Sequence, residues 1–539
     1  MRASPAWQAI VLTAAFFLHS PLLAQSRKAP PGTFKYLDAA AVGRAIILNG
    51  KQLFVDDFIV GEVRGVRKQL NQPVKHPKNP VLKRDKPWEV SGPGYATVIY
   101  DAKAQRFKIW YENWGQALKS NTSNLLYATS KDGIHWVKEI VDKKGGTNRV
   151  QQPSEYGFVG SGIFLDSVEQ DRAKRYKMLF SCKPDKTAKS LMTSAAYSAD
   201  GIHWKTYPNR KMIPFADTQN CPFWDSRRRR YVAILRFGPP NVRIVSRTES
   251  EDFLHWSPKI TVLRRTKMDG PLNTQFYQMA PFSYFGAYFG LIAAYHNESL
   301  KPITPEQPWT DRKNLQLSYS RDGITWSRVG KQGAIPSREL DQKKNWKQIA
   351  LDAVFLPYGK RDKQWDWGTV SPVFTPTPII VKDEIWFYYT GINAKNWWTW
   401  AGDPPKRLAN PPEPSKGIGL ATLRLDGFVS VTAGAAEGTL TTKPLVFLGD
   451  TLVVNANAKG GSLTVAALDT QGKVIQGFGN ADCLPLTTDS VRHVLKWRKK
   501  RDCHLLQGRP IKLRFHLKNS QLYSFEPRNR NNHYLQSYD

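Results

Sequence analysis

YSADGIHW, Tyr197–Trp204, is written several times in this chain. YATSKDGIHW ends at Trp136, LSYSRDGITW ends at Trp326, and a divergent form, VSRTESEDFLHW, ends at Trp256. The four tryptophans stand 68, 52 and 70 residues apart. Self-similarity at tens of residues marks a propeller, a solenoid or an array. The material between copies chooses among these. Upstream of each copy lie an alternating strand, a turn and an aromatic-rich strand, as in YATVIYDAKAQRFKIWYENW before the first and MAPFSYFGAYFGLIAAYH before the last. Asp-Gly between apolar runs signals a tight hairpin, because Gly takes positive φ without steric penalty.

Each unit therefore predicts a four-stranded meander whose outer hairpin is the repeated stretch. A fifth unit follows, TVSPVFTPTPIIVKDEIWFYYTG and then GIGLATLRLDGFVS, with Asp426-Gly427 at the turn position. The fold expected is all-β: a five-bladed β-propeller over residues 45–435, then a β-sandwich over 436–530 built of short alternating strands with Gly turns. AIILNGKQLFVDDFIV, at the start, supplies two strands, one of them a candidate to close the last blade. By the same alignment Asp132, Asp200 and Asp322 are turn residues, and the basic run Arg227–Arg230 is a solvated hairpin.

The N-terminus, MRASPAWQAIVLTAAFFLHSPLLAQS, has Arg2, an apolar stretch Ile10–Leu18 and the small Ala24. It reads as a signal peptide, residues 1–24, with a flexible segment over 25–44. The apolar run falls short of the ~20 residues a membrane helix needs. The expectation is a secreted or periplasmic protein without a membrane span. Four cysteines, Cys182, Cys221, Cys483 and Cys503, allow three pairings, Cys483 with Cys503 being the simplest and free buried thiols the alternative. No CxxC or His/Cys cluster predicts a metal site, and no cofactor is expected.

Lys and Arg number 78 against 45 Asp and Glu, a net charge of +33. In an exported protein this favours an anionic saccharide or cell surface over nucleic acid.

A propeller carrying S-x-D-G-I-x-W hairpins and followed by a sandwich resembles the glycoside hydrolases of families 32 and 43. The resemblance implies a glycosidase acting on a poly- or oligosaccharide, for which the charge admits a sulfated or uronic substrate, with acids from successive blades as base or nucleophile, stabiliser and acid. The family 32 signatures W-x-N-D-P-N-G, R-D-P and E-C have no counterpart here, so the candidate acids come from their position in the repeats.

Hydrolysis of a glycosidic bond needs two carboxyls flanking it. Acids at or before each inner strand are Glu89, Glu155, Asp217, Asp269 and Asp366, of which Asp269 belongs to an ordinary Asp-Gly-Pro turn. Asp217 leads the polar run Asp217-Thr218-Gln219-Asn220, where Gln219 and Asn220 are candidate sugar contacts. Trp88, Trp224, Trp367 and Trp397 offer flat apolar rings for sugar faces, and Arg236 and Arg243 are candidate anion contacts. The same acids serve in loops as turn caps, tryptophans serve as blade packing, and arginines form structural ion pairs. Two other functions fit the pattern: a non-catalytic carbohydrate-binding propeller, and a sialidase-like hydrolase, whose Asp-box has one more residue between Asp and Gly. Sugar, linkage and oligomeric state are not encoded in any motif.

Overall fold

The computed structural model describes residues 45–48, 50–114, 123–208, 211–214, 216, 218–238, 242–266, 274–296, 312–331, 333–335, 353–360, 363–393, 416–500 and 502–529. The signal-peptide and flexible-segment expectations, Asp217, Asp269 and Trp397 lie outside them. The described residues are all-β, with strands joined by turns and two short 3₁₀ turns, and no α-helix.

Five antiparallel meanders follow one another along the chain. The first joins Gly94–Asp101, Arg106–Trp114, Ser123–Ser130 and Trp136–Val137 in order. The second runs through Val159–Leu165, Tyr176–Cys182 and Met192–Ser198, against which both Lys205–Thr206 and Ile213–Pro214 pair. The third is Cys221–Asp225, Arg230–Phe237, Ile244–Ser250 and Ile260–Leu263. The fourth is Gln275–Tyr284, Ala287–His296, Arg312–Ser320 and Ser327–Gly330. The fifth is Thr369–Pro372, Glu384–Ile392 and Lys416–Arg424. The first strands of successive meanders touch, and the circuit closes where Val98 N donates to Phe374 O and Phe374 N donates to Ala96 O.

Middle strands such as Tyr176–Cys182 are buried along their whole length. Each sheet is covered on both faces by its neighbours, so these strands lose the in-out alternation of a half-exposed sheet. The apolar clusters confirm this layering. One holds Val98, Ile109 and Tyr111 of the first meander with Tyr388 and Leu420 of the fifth. Another holds Trp110 and Tyr127 of the first with Phe158, Met178 and Phe180 of the second.

The repeated stretch is a hairpin tip held by its own side chains. Ser198 Oγ accepts from Gly201 N at 2.9 Å, and Asp200 Oδ1 accepts from Ile202 N and His203 N at 2.8 and 2.9 Å. Ser130 and Asp132, Ser250 and Asp252, and Ser320 and Asp322 repeat the aspartate arrangement. These carboxylates are therefore structural caps, as their place in the repeat indicates. The divergent copy puts Phe253 where the others have Gly, and Phe253 takes φ +69°.

Three features differ from the sequence reading. The fourth strand of the last meander is not the segment after Asp426-Gly427. Its outer edge is formed by Val74–Lys75 and Leu82–Lys83, from the start of the chain. Val429–Ala433 instead pairs with Arg67–Leu70 and Ser520–Arg528. The strands expected near residue 50 also join the C-terminal part: Gln52–Leu53 pairs with Ser520–Arg528, Val60–Arg64 with Gly438–Thr442, and Ile46–Leu48 runs parallel to Leu445–Phe447. Sequence distance hides such pairings, because only tertiary packing selects the partner. Two C-terminal sheets, one including Thr451–Asn457 and Ser520–Arg528, the other Ser462–Leu468 and Lys512–Lys518, share one apolar core around Phe54, Phe447, Phe515 and Phe525. All four cysteines are buried free thiols, so the Cys483–Cys503 pairing is not formed.

Asp426 links the parts. Lys51 Nζ and Tyr284 OH donate to its Oδ1 at 3.0 and 2.6 Å, and Ser524 Oγ and Asn455 Nδ2 donate to its Oδ2 at 2.6 and 3.2 Å. Lys51 and Asp426 are both buried, and four donors compensate the desolvated carboxylate.

Candidate anion-binding centre

The inner strands of the meanders begin at one end of the ring, where second strands also finish and third strands start. Residues at those three kinds of position converge. Tyr95 opens the first inner strand and Tyr277 the fourth; their hydroxyls are 3.2 Å apart. Arg236 ends a second strand and Arg243 precedes a third. The Arg236 guanidinium lies 4.7 Å from the Tyr277 ring centre, and that of Arg243 lies 5.1 Å from Tyr295 and 5.7 Å from Tyr277. Lys313 and Lys416, at the starts of two further third strands, place Nζ 4.2 Å from the Tyr277 ring centre and 5.0 Å from that of Trp114. Trp114 and Tyr95 meet edge to face at 5.3 Å. Gly94 makes room for this packing, since a Cβ there would lie 2.5 Å from the Trp114 ring and 3.0 Å from Lys416 Nζ.

Four basic side chains thus surround a core of aromatic rings. Lys313 is buried, and burial first, then Lys416, Arg236 and Arg243, hold its ammonium form well below the usual lysine range. Among the described residues no carboxylate forms an ion pair with Lys313. Lys416 falls to about 7, lowered by burial and partly restored by the charge of Glu112. Glu112 is itself pushed up to about 7 by burial, although Ser161 N, Ser161 Oγ and Ser123 Oγ donate to it at 2.6, 2.7 and 2.8 Å. Burial first, then its neighbour Tyr277, raises the Tyr95 hydroxyl well above the usual tyrosine range, so it is a neutral O–H at neutral pH. Arg243 Nη1 donates to Gln275 Oε1 at 2.8 Å, while Arg243 Nε is buried without a hydrogen-bond partner. Several basic groups gathered in a desolvated setting, Lys313 among them without an ion-pair partner among the described residues, suit an anion.

The candidate residues read from the sequence fall into three groups. Arg236 and Arg243 belong to the cluster. Gln219 and Asn220 lie at the ring centre and are buried. Gln219 Nε2 donates to Ala96 O and Ser161 O at 3.0 and 2.9 Å, and Gln278 Nε2 donates to Gln219 Oε1 at 2.7 Å. Asn220 Nδ2 donates to Gly160 O at 2.7 Å. These amides tie four meanders together at the axis. Thr218, beside them, takes φ +80° with its hydroxyl buried and without a partner.

The third group is engaged elsewhere. Glu89 is buried, accepting from Lys138 Nζ at 2.6 Å, Tyr111 OH at 2.7 Å and the backbone N–H groups of Asp85 and Lys86. Asp366 is buried, accepting from Lys75 Nζ at 2.6 Å and Tyr389 OH at 2.9 Å. Glu155 is exposed. Trp88 is half-buried and donates to Asn148 Oδ1 at 2.8 Å, Trp224 packs edge to face on Tyr231, and Trp367 is half-buried.

Lys313, Lys416, Glu112, Tyr95 and Tyr277 were missed by the sequence reading. The repeat carries a signal for some of them. Nine residues before the turn aspartates Asp132, Asp252 and Asp322 stand Ser123, Arg243 and Lys313, three residues that all reach this centre.

No family model matches the sequence, and no curated protein matches it. Solved structures similar to the chain are glycoside hydrolase-like. A glycosyl hydrolase from Bacteroides ovatus is 14% identical, covering 66% of this chain and 94% of that one at a TM-score of 0.40. A structure from the GH130 family, whose mannoside phosphorylases and glycoside hydrolases include those targeting β-1,2 mannosidic linkages in Candida mannan, is 14% identical, covering 71% and 96% at 0.41. An N-acetylgalactosamine deacetylase from F. plautii, in complex with blood group B trisaccharide, is 12% identical, covering 68% and 96% at 0.41. Likeness at this level assigns no activity, and the functional argument rests on the site.

Proposed function

We propose that the chain is a carbohydrate-active enzyme that breaks glycosidic bonds in an acidic poly- or oligosaccharide bound at the cation and tyrosine cluster. The observation that carries this reading is the convergence of Arg236, Arg243, Lys313 and Lys416 on Tyr95 and Tyr277. Guanidinium groups match carboxylate or sulfate in fork geometry, and aromatic rings match sugar faces. In the same proposal the five meanders are the blades of a propeller and the two C-terminal sheets a β-sandwich; the ring of touching inner strands and the single core of the C-terminal sheets support it. Residues 1–24 act as a signal peptide for export, and kinship with families 32 and 43 stays at the level of the blade pattern.

A second reading, a carbohydrate-binding propeller without catalysis, is favoured by one observation. Among the described residues, the groups at the axis are the amides Gln219 and Gln278, bonded to each other and to strand carbonyls, where a hydrolase pair would need carboxyls. Retention on gels carrying a uronate polymer, a sulfated polymer and a neutral glucan, alongside assay of new reducing ends, tests both. Retention and cleavage confined to the acidic polymers support the enzyme, and retention without cleavage supports the second reading. Equal behaviour toward the neutral glucan would remove the basis for an acidic substrate.

A further inference from the structure

The hydrolytic route needs two carboxyls held across one bond, about 5 to 9.5 Å apart. Among the described residues, the carboxyl that interacts with the cluster is Glu112, which is fully buried and held by three donors from Ser123 and Ser161. The described residues of the cluster supply two guanidiniums, an amine without a carboxylate partner among those residues, and a linked pair of phenols.

Those groups suit a different cleavage. We propose that the site breaks the glycosidic bond at C4 of a uronate by β-elimination, with Arg236 and Arg243 holding the uronate carboxylate, Lys313 taking the C5 proton and Tyr95 protonating the leaving oxygen. The proposal rests on the reading that the cluster takes an acidic saccharide. The C5 proton sits beside a carboxylate and becomes removable once the charge of that carboxylate is matched, which paired guanidiniums do. The electron pair of the C5–H bond forms a C4–C5 double bond as the C4–O bond breaks. The leaving oxygen takes the Tyr95 proton, and the proton on Lys313 returns to the phenol pair, so that no water, oxidant or metal is consumed.

The placement fits the roles. Lys313 Nζ lies 4.2 Å from the ring centre of Tyr277, whose hydroxyl meets that of Tyr95 at 3.2 Å, so base and acid both adjoin one ring. Burial first, and then the surrounding cations, favour the free amine of Lys313, which a base requires, and burial favours the neutral phenol of Tyr95, which an acid requires. An arriving carboxylate offsets the cations and strengthens the amine as a base.

The test is incubation of the full chain with polygalacturonate, alginate and chondroitin, following both new reducing ends and the ultraviolet absorbance of an unsaturated uronate. The two signals are expected to rise together. Lys313→Met and Tyr95→Phe, shown to be folded by thermal melting, are expected to lower kcat on the order of 10²-fold with KM little changed. Reducing ends without the absorbance would overturn elimination and leave cleavage of an acidic saccharide standing. Retention of the polymer without cleavage would overturn elimination and point to a binding module. Neither retention nor cleavage would overturn the underlying reading as well. The wild-type comparison of the two signals decides even if a variant fails to fold.

Discussion

Trp110 Nε1 donates to the carbonyl of Gly201 at 2.6 Å, joining the middle strand of the first meander to the hairpin tip of the second. Tyr388 OH makes the same kind of bond to Gly133 O at 2.7 Å, from the fifth meander to the first. The repeated hairpin is thus more than a turn: its glycine carbonyl is a docking point for the preceding sheet. Gly201 has φ +82°, and a Cβ there would lie 2.5 Å from the Trp110 ring. Gly201→Ala is expected to destabilise the protein by about 1–3 kcal/mol, read from denaturant unfolding. An unchanged midpoint would mean that the sheets are not held at this contact.

The Lys51–Asp426 pair ties the start of the chain to the last turn of the ring and to the C-terminal sheets. Removing one member leaves a buried charge uncompensated, so Lys51→Met is expected to cost about 3–5 kcal/mol. The measurement is the shift in unfolding midpoint, with Lys51→Met/Asp426→Leu recovering part of the loss.

Acid should unfold the protein over a defined range. Asp101 is lowered to about 2: burial opposes its ionisation, but bonds from Tyr176 and Lys108 outweigh it. Asp200 is likewise lowered to about 2, with burial opposing and His203 and backbone N–H groups favouring the charge. A depressed folded value gives stability that is full above the unfolded value of 3.8 and lost as pH falls to about 2. Asp101→Asn should lower stability at neutral pH and flatten the acid limb in that window. A limb of unchanged slope would contradict this assignment.

Anion binding should weaken as pH rises through about 7. Lys416 loses its proton there, and Glu112 gains its charge over the same range, so both changes reduce the net positive charge beside Lys313, Arg236, Arg243 and Tyr95. Affinity for a uronate polymer measured between pH 6 and 8, as ~tenfold proton steps on either side of that value, should fall monotonically. A constant affinity would place the anion away from Lys416.

Glu89 and Asp366 offer a contrast with the cluster. Asp366 anchors Lys75, and Lys75 belongs to the edge strand that completes the fifth meander. Asp366→Asn and Glu89→Gln are expected to lower thermal stability while the folded fraction keeps wild-type affinity for acidic saccharide. Loss of affinity in the folded fraction would bring these acids back into the site.

The repeated hairpins were legible in the sequence because their cause is local: a serine, an aspartate and usually a glycine within four residues cap one turn. Arg236 and Arg243 stand out in the sequence as two arginines seven positions apart around Gly-Pro-Pro, and their part in binding an anion belongs to the proposal. The edge strand Val74–Lys75 was not, since its partner is over three hundred residues away and nothing in two residues names it. Lys313 and Lys416 looked like ordinary charged strand ends; only the neighbouring meanders make them buried. Glu89 and Asp366 show the converse. An acid before an inner strand is equally a ligand for a neighbouring lysine, and sequence position does not separate the two.

The most direct test of the account is calorimetric titration of the full chain with a uronate oligosaccharide and its carboxyl-reduced, neutral counterpart, repeated with Arg236→Met/Arg243→Met. The account predicts binding of the uronate form alone, weakened at least ~tenfold in the double variant, the effect of losing about 1.4 kcal/mol or more of charge-assisted bonding. Equal binding of both sugars, or full affinity in the folded double variant, would contradict it.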